Sequence, residues 1–185
     1  MSRDPAQTKA DTDKVEAEKA AAIGAALAAL YRAADRGMRE LPIYNTALEV
    51  AAVGFRAHEG RALGVVLTPW FMNLVLAPLD AGEGSDAPPG ATVSRSLPAG
   101  LFEFTVGALD GFGIIESCSL YSPMFDFADQ QSALAAAEAA LQAVLDPGFD
   151  VAPAETAAAS PPKPRSAAID RRNFLRGALS SGARP

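Results

Sequence analysis

The spacing of apolar residues changes twice along this chain of 185 residues, and these changes constrain the fold more than any other feature. Near the N-terminus, Ile23, Leu27 and Tyr31 recur at the spacing of one helix face. Between residues 48 and 121, short runs of β-forming residues alternate and are separated by turn residues, as in strands. A second helical stripe follows within residues 134–145. The order is therefore helix, strands, helix.

The alternating region predicts an antiparallel sheet, because short connections favour antiparallel pairing of consecutive strands. Amphipathic helices at both ends are expected to cover one face of this sheet. The predicted class is α+β: a two-layer domain of about five mostly antiparallel strands covered by N- and C-terminal helices, with a disordered C-terminal tail. The expected strands are residues 48–57, 62–68, 70–77, 101–106 and 114–121.

Composition divides the chain into four segments. Residues 1–13 predict a flexible N-terminus and residues 14–146 a folded domain. Residues 147–168 are rich in Pro, Ala and Ser, which is typical of a linker. Residues 169–185 form a basic tail.

Charge is unevenly distributed within the formal net charge of −6. Six basic residues and one acid give residues 161–185 a charge of +5, whereas ten basic and 21 acidic residues give the preceding part −11. An acidic domain repels phosphate backbones, so nucleic acid is not expected as a partner.

The sequence offers no signal for export or for a membrane span. The N-terminus is polar, and the apolar run 63–79 is broken by Pro69 and Pro78 and is shorter than the roughly 20 residues of a membrane helix. Cys118 is the only cysteine, which excludes an internal disulfide. These features favour a cytoplasmic protein.

Catalytic and metal-binding patterns are weak. His58, the only histidine, falls in a predicted hairpin turn, and no His or Cys spacing indicates a metal or cofactor site. Cys118 is expected to be a buried, inert thiol. The enzyme alternative is a small hydrolase using the strand carboxylates Glu103 and Glu116, which requires a polar pocket that joins them to His58.

Three segments resemble the HybE/HupJ family, the nickel–iron hydrogenase assembly chaperones. They are Thr68–Leu76 (TPWFMNLVL), Cys118–Asp129 (CSLYSPMFDFAD) and Leu48–Phe55, which Asn45 precedes. The resemblance runs from residue 44 to residue 145. One departure is Thr46, where many relatives have proline.

The resemblance implies a cytoplasmic accessory protein that has no cofactor of its own and is not an enzyme. It implies as partner a precursor of a nickel–iron hydrogenase subunit, small or large, which is bound before assembly and twin-arginine export. The twin-arginine signal peptide of that precursor and other maturation proteins are further possible partners. A non-catalytic scaffold that does not release its client is a third functional class.

Large apolar side chains in two of these segments form the candidate client-binding patch. Consecutive strand residues point to opposite faces, so at least one of Trp70, Phe71 and Met72 is expected on an open face. Exposed aromatics with Met are typical of adaptable protein-binding surfaces. Full burial of these side chains is the alternative interpretation. The predicted patch comprises Trp70, Phe71, Met72, Asn73, Met124 and Phe125.

The basic tail contains the core of a twin-arginine signal, with Arg171 and Arg172 followed by Phe174 and Leu175. Only a short, mostly polar stretch follows it in this sequence, so we do not expect it to work as an export signal. Three interpretations remain open: a mimic of the client's signal, a direct contact with the translocation machinery or another acidic partner, and a chance basic amphipathic tail.

Overall fold

A computed structural model describes residues 5–80 and 85–148. These residues belong to one compact unit, and the predicted linker beyond Gly148 and the basic tail lie outside the described residues. The described elements are the helices α1 (Pro5–Met38) and α2 (Gln130–Leu145) and, between them, the strands β1 (Ala51–His58), β2 (Arg61–Leu67), β3 (Met72–Pro78), β4 (Thr92–Leu97), β5 (Gly100–Leu109) and β6 (Gly113–Tyr121).

The strands form one sheet in the order β1-β2-β3-β6-β5-β4, and every neighbouring pair is antiparallel. Two three-stranded meanders are thus joined because their last strands, β3 and β6, lie side by side. The predicted α+β class, with an antiparallel sheet and a helix at each end, is confirmed.

Both helices are close to their predicted positions. The carboxylate of Asp129 accepts a hydrogen bond from the Ser132 N–H at 2.7 Å, so it is the N-cap of α2. α1 begins at Pro5 and therefore extends into residues 1–13, the segment predicted to be flexible. Proline is compatible with this start because it is tolerated in the first turn of a helix.

The strand β4 is the element that the sequence did not predict. Its residues contribute few apolar side chains, and only Leu97 is fully buried. A two-residue turn at Pro98 and Ala99 folds it back on β5, so pairing rather than hydrophobicity defines it.

The two helices pack on opposite faces of the sheet rather than on one. In β2, Leu63, Val65 and Leu67 belong to the core beneath α2, whereas Val66 packs with Leu27 of α1. Strands β2 and β3 are apolar on both faces, so each face needs a cover. The sheet is therefore the middle layer where both helices overlie it.

Close packing fixes α1 to the sheet at Phe55. Its ring lies between Gly24 of α1 and Gly64 of β2, and a Cβ on these glycines would lie 2.7 Å and 2.3 Å from ring atoms. Any side chain at either position would displace the ring.

On the α1 side, neither described helix covers the face formed by β4, β5 and the C-terminal half of β6, because α1 packs mainly on β1 and β2. Only Ile115 of β6 reaches the cluster that contains Leu27 of α1. The side chains of this face are mostly hydroxyls. We call this surface the open face, and its exposed residues are Thr92, Ser94, Ser96, Leu101, Glu103, Thr105 and Ser119.

Candidate functional site

Several connections meet at one end of the sheet, which we call the loop end. The antiparallel register places the β2–β3 turn (residues 68–71), the β4–β5 turn (98–99) and the end of β6 at Tyr121 on this side. The segment between α1 and β1 also returns here, because Asn45 donates its backbone N–H to the carbonyl of Pro69 at 2.8 Å.

The β2–β3 turn is held by Thr68, which is fully buried. Its Oγ1 accepts the N–H groups of Trp70 and Phe71 at 3.3 and 2.9 Å, and it donates to the carbonyl of Phe71 at 3.0 Å. One hydroxyl thus satisfies backbone groups that the proline at position 69 leaves outside the ladder.

Asn45 connects the two loops that flank this turn. Its Nδ2 donates to the carbonyls of Met124 and Phe127 at 2.9 and 2.8 Å, and its Oδ1 accepts from the N–H of Ala47. Together with the bond to Pro69, this residue joins all three segments that carry the family resemblance.

Aromatic rings pack around these connections. Trp70 stacks on Tyr44 with 6.2 Å between ring centroids and meets Phe71 edge-on at 5.8 Å. Phe71 in turn meets Tyr31 of α1 at 5.3 Å. The turn is therefore anchored in the interior.

The structure places most of the predicted patch away from solvent. Trp70 is 7% exposed, and Met72 and Met124 are fully buried. Strand alternation sends Met72 into the core beneath α2, while Phe71 points to the α1 side. The prediction that one of Trp70, Phe71 and Met72 lies on an open face is wrong, because one helix covers each side of the sheet here. Phe71 and Asn73 are half-buried.

Phe125 is the member of the predicted patch that is well exposed, at 58%. Ile43 is also exposed nearby: it lies two residues before Asn45, whose side chain contacts the carbonyl of Met124, the residue before Phe125. Sequence analysis missed Ile43 because it lies in a connection without a periodic pattern. We call the exposed group the apolar rim, and it comprises Leu41, Ile43, Leu101, Tyr121 and Phe125.

A polar groove of about 510 Å³ lies beside the rim, between α1 and residues 44–50. Within it the carboxylate of Asp35 accepts from the Tyr44 hydroxyl at 2.7 Å and from Arg39 Nε at 2.8 Å. The Tyr44 hydrogen bond and the Arg39 charge hold the pKa of Asp35 below its usual range. The groove thus carries a paired carboxylate.

The carboxylates of the enzyme alternative do not converge. Glu116 is 1% exposed on the α2 side, where Arg95 Nε and Arg61 Nη1 approach its carboxylate at 2.7 and 3.0 Å. Glu103 is exposed on the open face, on the other side of the sheet. Because two arginines neutralise Glu116, the polar pocket that a hydrolase requires does not form here.

The remaining candidate groups do not add a reactive centre. His58 lies in the β1–β2 hairpin, and its Nε2 makes no hydrogen bond among the described residues. Burial raises the pKa of the Cys118 thiol, which packs against the core. Within residues 5–80 and 85–148, no cluster of three His, Cys, Asp or Glu side chains could hold a metal ion, and no helix is suited to cross a membrane.

Comparisons with known proteins agree on one family. The profile described as "[NiFe]-hydrogenase assembly, chaperone, HybE" matches residues 22–177. The hydrogenase expression/formation protein HupJ of Bradyrhizobium diazoefficiens is 49% identical over 87% of this chain and 91% of its own length. The hydrogenase expression/formation protein HupT of Azotobacter chroococcum is 40% identical over 85% of this chain and 97% of its own. The solution structure of HybE from Escherichia coli superposes with a TM-score of 0.53 and 27% identity, over 70% of this chain and 78% of that one.

Proposed function

Because this chain belongs to the HybE family of nickel–iron hydrogenase assembly chaperones, we propose that it binds an immature subunit of such a hydrogenase, small or large, before assembly and twin-arginine export. The resemblance inferred from sequence is confirmed, and the chain is an accessory protein of hydrogenase assembly rather than an enzyme. The cytoplasm is the proposed site of action, since binding precedes export.

The observation that carries the proposal is the apolar rim at the loop end. An incomplete hydrogenase subunit exposes apolar side chains that the mature subunit buries. An exposed apolar surface on the chaperone can cover these side chains and so lower the free energy of the incomplete subunit. The rim residues Ile43 and Phe125 lie next to the hydrogen bond between the Asn45 side chain and the Met124 carbonyl. The surface is therefore held in place before a client arrives, which reduces the entropic cost of binding.

In this proposal the residues of the predicted patch act in two ways. Phe125 contacts the client directly because it is exposed. Trp70, Met72 and Met124 support the rim from beneath, where they are buried. Phe71 and Asn73 lie between these two situations, since each is half-buried.

Affinity capture with the full chain from cells that express the hydrogenase tests the function. We expect a hydrogenase subunit precursor among the captured proteins, and Phe125→Asp should weaken its binding about tenfold or more, as for a central aromatic contact. The aspartate sits where the phenylalanine is already exposed, so folding should be little affected.

Val15→Asp is the matched control. Val15 is also an exposed apolar residue, at 50%, but it lies in the first half of α1. The part of α1 that reaches the loop end is its last third, where Tyr31 contacts Phe71. Equal binding by Phe125→Asp and the parent chain would remove the rim from the proposal. Recovery of no precursor under hydrogenase-inducing conditions would contradict the function itself.

The tail motif lies outside the described residues, and its proposed role is to mimic the signal peptide of the client. Arginine makes a planar, two-pronged contact that lysine does not. Replacing Arg171 and Arg172 with lysine should therefore weaken any complex that the tail forms with signal-binding surfaces. Unchanged capture by the lysine form and by a chain cut after Leu145 would end this idea.

A further inference from the structure

The two edge strands of the sheet differ in how they are protected. Along β1 the register shifts between Val53 and Arg56, where Gly54 has a φ of +63°. Arg56 Nε donates to the carbonyl of Gly54 at 3.3 Å, and Arg32 of α1 donates to the carbonyl of Val50 at 3.3 Å. A bulge and two capping side chains are devices by which proteins prevent a further strand from pairing at an edge.

Within β4 itself the described residues show neither a bulge nor a capping side chain. The nearest irregularity precedes the strand: the Gly90 N–H donates to the Val106 carbonyl, the Ala91 carbonyl accepts from the Val106 N–H, and Gly90 has a φ of +90°. Its register with β5 runs from Thr92 to Leu97 without a shift. Its only charged side chain, Arg95, points to the α2 side, where Glu116 binds it. Among the described residues, a regular edge of six residues is thus left without a neighbouring strand, and its outward-facing positions carry no charged side chain.

The direction of the free backbone groups follows from the register. The carbonyl of Ala91 accepts from the N–H of Val106 in β5, so residue 91 points inward. Because an antiparallel ladder alternates, residues 93, 95 and 97 also bond to β5. The N–H and C=O groups of Thr92, Ser94 and Ser96 therefore point away from the sheet.

One residue of the apolar rim, Leu101, lies beside this edge. Ser96 pairs with Leu101, a rim residue that is 71% exposed on the same face. Both lie toward the loop end, where the β4–β5 turn is anchored by the hydrogen bond from Ala99 N–H to the Val144 carbonyl. A polypeptide that contacts Leu101 can therefore continue along β4.

Charge and chemistry decide between two occupants of the edge. A second copy would bring together two domains whose first 160 residues carry −11 each. An incomplete subunit instead presents extended backbone whose hydrogen bonds are not yet made, and the hydroxyl side chains of β4 accept varied neighbours. The edge therefore fits the client better than it fits a copy of this chain.

We propose that an extended segment of the immature hydrogenase subunit adds to β4 as a seventh strand, with its alternate side chains against the open face near Leu101. This inference rests on the proposed function and specifies how the client is held. Backbone pairing supplies affinity that tolerates different client sequences, as in other cases of strand addition.

Residue-resolved amide hydrogen exchange tests the pairing, with the purified full chain and the precursor of each hydrogenase subunit in turn. In the free protein, the N–H groups of Ser94 and Ser96 should exchange fast and those of Val93 and Arg95 slowly. In the complex with the client, the exchange of Ser94 and Ser96 should slow at least about tenfold. No protection at these residues in a complex that forms would overturn the inference.

Ser94→Pro provides a matched test of affinity. Proline at position 94 removes an outward N–H and leaves the bonds between β4 and β5 in place. We expect precursor binding to weaken about tenfold, whereas Ser94→Val, which keeps the N–H, should bind as the parent chain does. Circular dichroism of both variants checks that each is folded; if proline unfolds the domain, the exchange pattern of the unmodified chain decides.

The outcomes separate this inference from the proposed function. If Phe125→Asp weakens binding while Ser94→Pro does not, strand addition is excluded and the chaperone function stands. If neither precursor binds the unmodified chain, the proposed function itself fails. If Ser94 becomes protected with rising protein concentration in the absence of precursor, a second copy occupies the edge and the inference is overturned.

Discussion

At the scale of single residues, the loop end depends on two polar side chains that satisfy buried backbone groups. Thr68 binds the β2–β3 turn internally, and Asn45 binds it to the neighbouring loops. Asn73 is a polar residue within an otherwise apolar strand, and its Oδ1 makes no hydrogen bond among the described residues. A polar residue inside an apolar run indicates a hydrogen bond but not its location.

Asn45→Ala should therefore lower the stability of the domain. The change leaves the carbonyls of Met124 and Phe127 without their donor, which costs about 1–3 kcal/mol in free energy of unfolding. Urea denaturation measures the difference. Thr46→Ala, at an exposed neighbouring position, is the control and should change stability by less than about 0.5 kcal/mol. Equal effects at the two positions would contradict the role of Asn45.

At the scale of elements, the strongly periodic segments were predictable from the sequence. Strand β4, which is defined by its pairing with β5, was not. Both helices and the apolar strands were found from their spacing, because burial imposes a period on the sequence. β4 buries only Leu97 fully, so its sequence carries no such period. The placement of the helices on opposite faces had a signal in residues 63–67, a continuous apolar run typical of a strand covered on both sides.

Replacing either of two glycines of α1 with alanine should change the stability of the domain, in opposite directions. Gly24→Ala should destabilise the domain by about 1–2 kcal/mol, because the new Cβ meets Phe55 at its Cβ and Cγ, which cannot swing aside. Gly37→Ala meets nothing within 4 Å and should stabilise by about 0.5–1 kcal/mol through helix propensity. Thermal unfolding of both variants measures the two shifts. Stabilisation by both would show that Phe55 does not lock α1 to the sheet.

At the scale of the whole molecule, Glu116 connects strands that are not neighbours. It lies on β6, and its arginine partners lie on β2 and β4, each separated from β6 by one intervening strand. Burial alone would raise the pKa of Glu116. Hydrogen bonds from Arg95 and Ser85 and the charges of Arg61 and Arg95 outweigh burial and hold this pKa below its ordinary value.

The stability of the domain should accordingly depend on the ionisation of Glu116. A lowered pKa in the folded state stabilises the fold above the unfolded pKa of about 4.3, and this contribution is lost as pH falls through the folded pKa. Glu116→Gln should cost about 1–3 kcal/mol at pH 7 and progressively less below about pH 4. Denaturant titrations at several pH values measure this. The control is Glu103→Gln on the open face, for which we expect little change; a pH-independent cost at Glu116 would contradict the ionic origin.

The open face determines what the domain requires from other polypeptides. It is three strands wide, about 14 Å, which is close to the diameter of an α-helix. Its side chains are nevertheless mostly hydroxyls, so water already satisfies them and an apolar helix would gain little by covering them. The described domain therefore needs no partner over this face to complete its fold, and departure of the proposed client should leave its stability unchanged.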